Sequence, residues 1–329
     1  MKRINGIHVA VGLLCFLLLF LWMDQSPSLR SYIQFLKAKP SPYAASSLVK
    51  TEEQWMAEIQ SRATERNIAP VDAKIDPVWK AIPGYNGREV DIPTSLKLSK
   101  DQGKLSIIYK EVEPNIKLED LGYQPIYRGN SHKKMASIMI NVAWGNEYIP
   151  PILDTLRQEN VHATFFLDGS WLSNNMDVAK IIMDEGHELS NHAYSHKNMS
   201  QLSHAKAREE IMKTEQLLKQ LGVENKFFAP PSGDFDKETV KIAKDMGLYT
   251  ILWTLDTVDW KNPPPESIVK KISNNIEPGS LILMHPTASS SQSLSQMIQV
   301  IKDKNLALST VSELLSSKRS DTVERTHHF

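Results

Sequence analysis

The stretch SNHAYSH, residues 190–196, sets two imidazoles, His192 and His196, four residues apart. On a helix, positions i and i+4 lie on one face, so the spacing predicts two rings side by side. Two neutral imidazoles can share a metal ion, and zinc takes such nitrogens readily. Spacing alone fixes no metal geometry, and a surface turn with two solvated histidines is the competing reading. The residues on either side decide between them.

Working outward, apolar runs alternate with amphipathic segments. Strands are predicted over 136–142, 163–167, 226–229, 250–255 and 281–284. Helices are predicted over 149–159, 176–185, 204–221, 237–246, 266–276 and 292–304. Repeated strand–helix units imply parallel strands with helices outside, and in parallel barrels the chemistry collects where strands end.

Five blocks stand in order along this region: HATFFLDGSW (162–171), EGHELSNHAYSH (185–196), FFAPPSGDF (227–235), WTLDTVDW (253–260) and GSLILMHPT (279–287). Together they resemble the NodB-homology polysaccharide deacetylases, carbohydrate esterase family four, over roughly residues 135–315. The resemblance implies a distorted (β/α) barrel. It implies hydrolysis of the acetamide of an N-acetylated, peptidoglycan-like cell-wall glycan. It makes His192 and His196 metal ligands, His285 the general acid and Asp259 the carboxylate that orients it. Trp260, Pro231 and Gly233 then shape the substrate groove.

One block departs from the family. Its first motif reads like TFDDG, with a general base followed by a metal-binding carboxylate. The matching stretch here is INVAWGNEY, residues 140–148, which puts Ala143 at the base position and Trp144 at the ligand position. The arginine that pairs with the base is replaced by Ala229. Losing both charges together is physically coherent, because a buried charge without its partner is costly. Glu147 and Asp168 are the candidate substitute carboxylates, with Asp256 a step from Asp259. Two imidazoles without a third ligand predict at most a weakly held divalent metal, zinc or cobalt. The alternative function is a catalytically degenerate pseudoenzyme that binds glycan or serves as an envelope scaffold.

The 329 residues suffice for one large domain and a small one. Lys plus Arg balances Asp plus Glu at 38 each, which gives no reason to expect nucleic acid as a partner. The single Cys15 excludes a disulfide within one chain. Lys2 and Arg3 precede an apolar run over 7–23, the pattern of an export signal. No good cleavage site follows, so residues 1–23 are expected to form a signal anchor. That places a single-pass protein in the cell membrane with its body outside; secretion after cleavage is the alternative. Residues 24–50 read as a tether and 51–130 as a small α/β module, which opens on a capping box at Thr51-Glu52-Glu53-Gln54. The deacetylase-like domain spans 131–315, and 316–329 is a polar tail. In the module, Trp79 and Tyr85 are expected in the core more than on a sugar.

Overall fold

The computed structural model describes residues 50–320 together with Pro27, Ser31 and Gln34. The expected anchor and residues 321–329 lie outside the described residues. Among the described residues no helix is long and apolar enough to cross a membrane.

The chain divides into two compact units, Met1–Glu65 with Asp91–Ile108 and Arg66–Val90 with Tyr109–Phe329. The first unit carries helix α1 (Glu52–Arg66) up to Glu65. Thr51 opens α1 as a reciprocal cap: its hydroxyl accepts the Gln54 N–H and its own N–H donates to the Gln54 carboxamide.

In the second unit, β1 (Lys74–Asp76) pairs antiparallel with β2 (Lys80–Ile82). Strand β3 (Gly87–Val90) lies in this unit. Helix α2 (Ile92–Gln102) returns to the first unit, where Asp91 caps its start and the left-handed Gly103 ends it. β4 (Tyr109–Val112) then pairs antiparallel with β3. Tyr85 is buried, as expected.

Then comes β5 (Met135–Val142), α3 (Ile149–Gln158), β6 (Thr164–Leu167), α4 (Gly169–Asn174), α5 (Met176–Asp184) and β7 (Glu188–Asn191). The chain continues through α6 (His204–Gln220), β8 (Phe227–Phe228), α7 (Lys237–Asp245), β9 (Tyr249–Thr250), β10 (Leu255–Asp256) and α8 (Pro265–Asn275). It closes with β11 (Leu281–Met284), α9 (Ala288–Asp303), β12 (Ala307–Ser309) and α10 (Val311–Leu315).

The strands form one parallel sheet in the order β10-β11-β5-β6-β7-β8-β9, with β12 also on β5. All eight residues of β5 are buried, as expected of a strand covered on both faces. Its pleat sorts them. Ala136, Ile138, Ile140 and Val142 join the cluster that includes the apolar faces of α3, α8 and α9, while Met135 and Met139 join a second cluster. Strand β11 divides likewise, Ile282 and Met284 against Leu281 and Leu283. Each such side chain contributes about 1.5–3 kcal/mol on burial. Register therefore fixes which residues face the inside, and Asn141 is one of them.

The sheet is curled and open, not a closed barrel. The strand expected over 250–255 is two short strands with no registered pair between β9 and β10 among the described residues. Between them the backbone turns to Ile126: its N–H donates to the Thr250 carbonyl, and its carbonyl accepts the Leu252 N–H. Strands β7 and β12 and helices α4 and α10 were not expected from the sequence. In β7 the buried Ser190 and Asn191 are polar, which hides the strand from hydrophobic patterning.

His187, just before β7, accepts the Ala163 N–H through Nδ1 and packs against Phe165. Burial, then the nearby His162, pushes it down to about 4. Below pH 6.5 the unfolded imidazole takes a proton that the folded one refuses, so stability should fall as pH drops from about 6.5 to about 4. His187 alone should cost about 3 kcal/mol across that window. Urea midpoints against pH test this; His187→Gln should make the slope shallower, and an unchanged slope would count against the assignment.

Candidate functional site

The strand ends deliver the side chains named from sequence to one mouth. His192 leaves the end of β7 and His285 the end of β11. They line a cavity of about 420 Å³ with Asn141, Trp144, His196, Ser232, Trp253, Asp256, Trp260 and Leu283.

His192 and His196 do meet, with ring centroids 5.2 Å apart and planes at 74°. The helical turn expected to bring them together is absent. The segment is a loop in which Ala193 and His196 take φ of 59° and 52°. Asn191 Oδ1 accepts the Ala193 N–H at 2.8 Å, and Glu210 of α6 accepts the N–H groups of Tyr194 and Ser195 at 3.2 and 2.7 Å. These local bonds offset the cost of the left-handed positions. The buried His192 donates from Nδ1 to the Ala229 carbonyl at 2.7 Å, which leaves Nε2 as an acceptor. Burial first, then His196, pushes its imidazole down to about 3, so it is neutral at physiological pH.

His285 is held twice by the wholly buried Asp259. Its backbone N–H donates to one carboxylate oxygen at 2.6 Å and its Nδ1 pairs with the other at 2.8 Å. This fixes the ring and presents Nε2 to the cavity. Over the other side of that imidazole lies Trp144, stacked at 6.0 Å with planes only 8° apart. Trp144 is 46% and Trp260 53% exposed. Large apolar side chains left this open at a cavity mouth call for an explanation.

The remaining named residues divide. Ala143 and Asp168 line an adjoining cavity of about 230 Å³ that shares Trp144 and His196 with the first. Asp168 caps α4, accepting from the Ser170 hydroxyl and from the Trp171 N–H at 3.0 Å through Oδ1, while its buried Oδ2 has no partner. Burial raises this carboxyl; the bonds to Ser170 and Trp171 and the nearby His196 oppose the shift. Glu147 is exposed in a short turn and lines neither cavity. Ala229 is fully buried. Pro231 and Gly233 shape the loop around Ser232, where a Cβ on Gly233 would meet Trp253 at 2.6 Å. The sequence reading missed Asn141 and Trp253. Asn141 was legible, since it lies near the end of β5, two residues before Ala143.

Among the described residues no group of three or more His, Cys, Asp or Glu side chains is arranged to hold a metal ion. Family-four deacetylases are generally metal-dependent, and zinc takes at least three protein ligands. Two imidazoles beside an indole do not fit a resident zinc.

Fold and site together define a NodB-type α/β domain. The sequence model of the polysaccharide deacetylase family matches residues 128–251. An uncharacterised Bacillus subtilis protein, YlxY, is 42% identical over 314 residues, covering 94% of this chain and 97% of that one. A Bacillus cereus peptidoglycan-N-acetylglucosamine deacetylase is 32% identical, covering 60% of this chain and 74% of its own length. Among solved structures, a family-four pseudoenzyme from Bacillus anthracis is 45% identical with a TM-score of 0.75, over 81% of this chain and 96% of that one. A mutant of that pseudoenzyme, described as having restored enzymatic activity, matches at 43% identity with a TM-score of 0.74, over 80% of this chain and 99% of that one. The chain belongs to the polysaccharide deacetylase family.

Proposed function

We propose that this protein is a non-hydrolytic member of its family that binds cell-wall amino-sugar glycan at the cell envelope. One observation carries the reading: Trp144, at the position of the missing metal ligand, stacks on His285 and presents its indole to the cavity. Water activation needs a metal or a base, and the residues at those positions supply neither. Half-exposed Trp144 and Trp260 offer flat apolar faces to the C–H faces of a pyranose ring, with the polar groups of the cavity left to fix its orientation. Export through Lys2, Arg3 and the apolar run over 7–23 is part of the same reading, with an uncleaved anchor holding the body at the outer face.

The Asp259–His285 pair supports a second reading, residual acetamide hydrolysis. Binding is tested with full-length protein co-sedimented with purified peptidoglycan. Trp144→Ala and Trp260→Ala should each weaken binding by roughly fivefold or more, as for buried aromatic anchors elsewhere. Unchanged binding in both variants would remove the proposal.

A further inference from the structure

We infer that the cavity takes the de-N-acetylated form of the glycan, a glucosaminyl unit bearing a free ammonium, in preference to the acetamido sugar. The inference rests on the glycan-binding reading and concerns which glycan is bound.

Its basis is the carboxylates and imidazole nitrogens that line the two cavities. His192 and His285 both commit Nδ1 to fixed acceptors and leave Nε2 for a ligand. Asp168 lines the adjoining cavity with a carboxylate whose Oδ1 is bound within its own turn and whose Oδ2 is enclosed without a partner. Asp256 adds a second carboxylate, with one oxygen accepting the Val258 N–H at 2.7 Å. An ammonium brings three donors and no acceptor, and its charge is drawn to carboxylates at the cavity wall. An acetamide brings one donor and a carbonyl that needs a donor of its own.

Charge points the same way. No Lys or Arg lines either cavity; Lys261 sits over the Trp260 ring at 4.8 Å. Ala229 stands where the family carries its arginine. Three indoles, Trp144, Trp253 and Trp260, line the main cavity, and indole faces attract cations. Asp168 and Asp256 line the two cavities and no lysine or arginine does, which suits a cationic ligand. N-deacetylation, the reaction of the active relatives, is the class of reaction that generates such a ligand.

The test compares two chito-oligosaccharides of equal length, one fully N-acetylated and one fully de-N-acetylated. Calorimetry uses the full-length chain at low salt and about pH 6, below the usual amine range of about 7.7–8. The amine form should bind about tenfold tighter or better. Asp168→Asn and Asp256→Asn should each shrink that preference; Asn at 168 is still a good helix cap, so folding is preserved. Glu147→Gln, an exposed carboxylate outside both cavities, should leave the preference intact. Equal affinities, tighter binding of the acetylated form, or a preference unmoved by both Asn variants would overturn the inference while glycan binding stands. Binding of neither oligomer would overturn both.

Discussion

Restoring both carboxylates and the guanidinium together, as Ala143→Asp, Trp144→Asp and Ala229→Arg, should raise acetate release from N-acetylated glycan at least a hundredfold above any single change. A positioned general base contributes about 10²–10⁴-fold, and none of the three substitutions supplies a working base alone. Ala143→Asp alone adds an anion without its guanidinium, and burial would raise its pKa. Trp144→Asp alone gives His192 and His196 a third ligand and uncovers His285, yet leaves no base. Ala229→Arg alone buries a cation, because Ala229 is fully enclosed. Residues that act as a unit are non-additive. The readout is acetate with zinc or cobalt, on protein shown to be folded by circular dichroism. A folded triple variant no better than the single ones would place the block in the groove itself.

The second large effect falls on stability. Gly145 has φ of 85°, and a Cβ there would lie 2.1 Å from the Pro286 carbonyl oxygen. Gly145→Ala must therefore displace the backbone next to His285, and the expected cost is about 3 kcal/mol or more. Gly222 has a similar φ of 80° with nothing within 4 Å of its added Cβ, so Gly222→Ala should cost about 1 kcal/mol. Urea midpoints for the two variants separate strain from collision. Equal losses would refute the close-approach argument and leave backbone conformation as the whole effect.

Much of this architecture was legible because apolar runs report burial directly. The largely apolar MASIMINV of β5 reads as a strand buried on both faces, and its pleat sends Asn141 inward. What failed to read depends on distant partners. The break between β9 and β10 is made by Ile126, far away in sequence, whose backbone bonds take over from the sheet. Strand β7 hides because Ser190 and Asn191 are buried through bonds to Asn225, Phe227, Ile211 and Glu215. The two histidines were found for a reason the structure corrects: Glu210 and two left-handed residues bring the rings together, not a helical turn. Trp144 was noted from sequence only as the residue at an expected ligand position. Its stack on His285 was not legible, since sequence does not tell which way an indole at a strand end will turn.

The proposed function requires a site that binds glycan without hydrolysing it. The most direct measurement is acetate release by the unmodified full-length protein from peptidoglycan and chito-oligomers, with zinc or cobalt added and enzyme in excess over substrate. No acetate above the metal-free control is expected, from protein that still binds glycan. Metal-dependent acetate release that disappears in His285→Ala would contradict the proposed function.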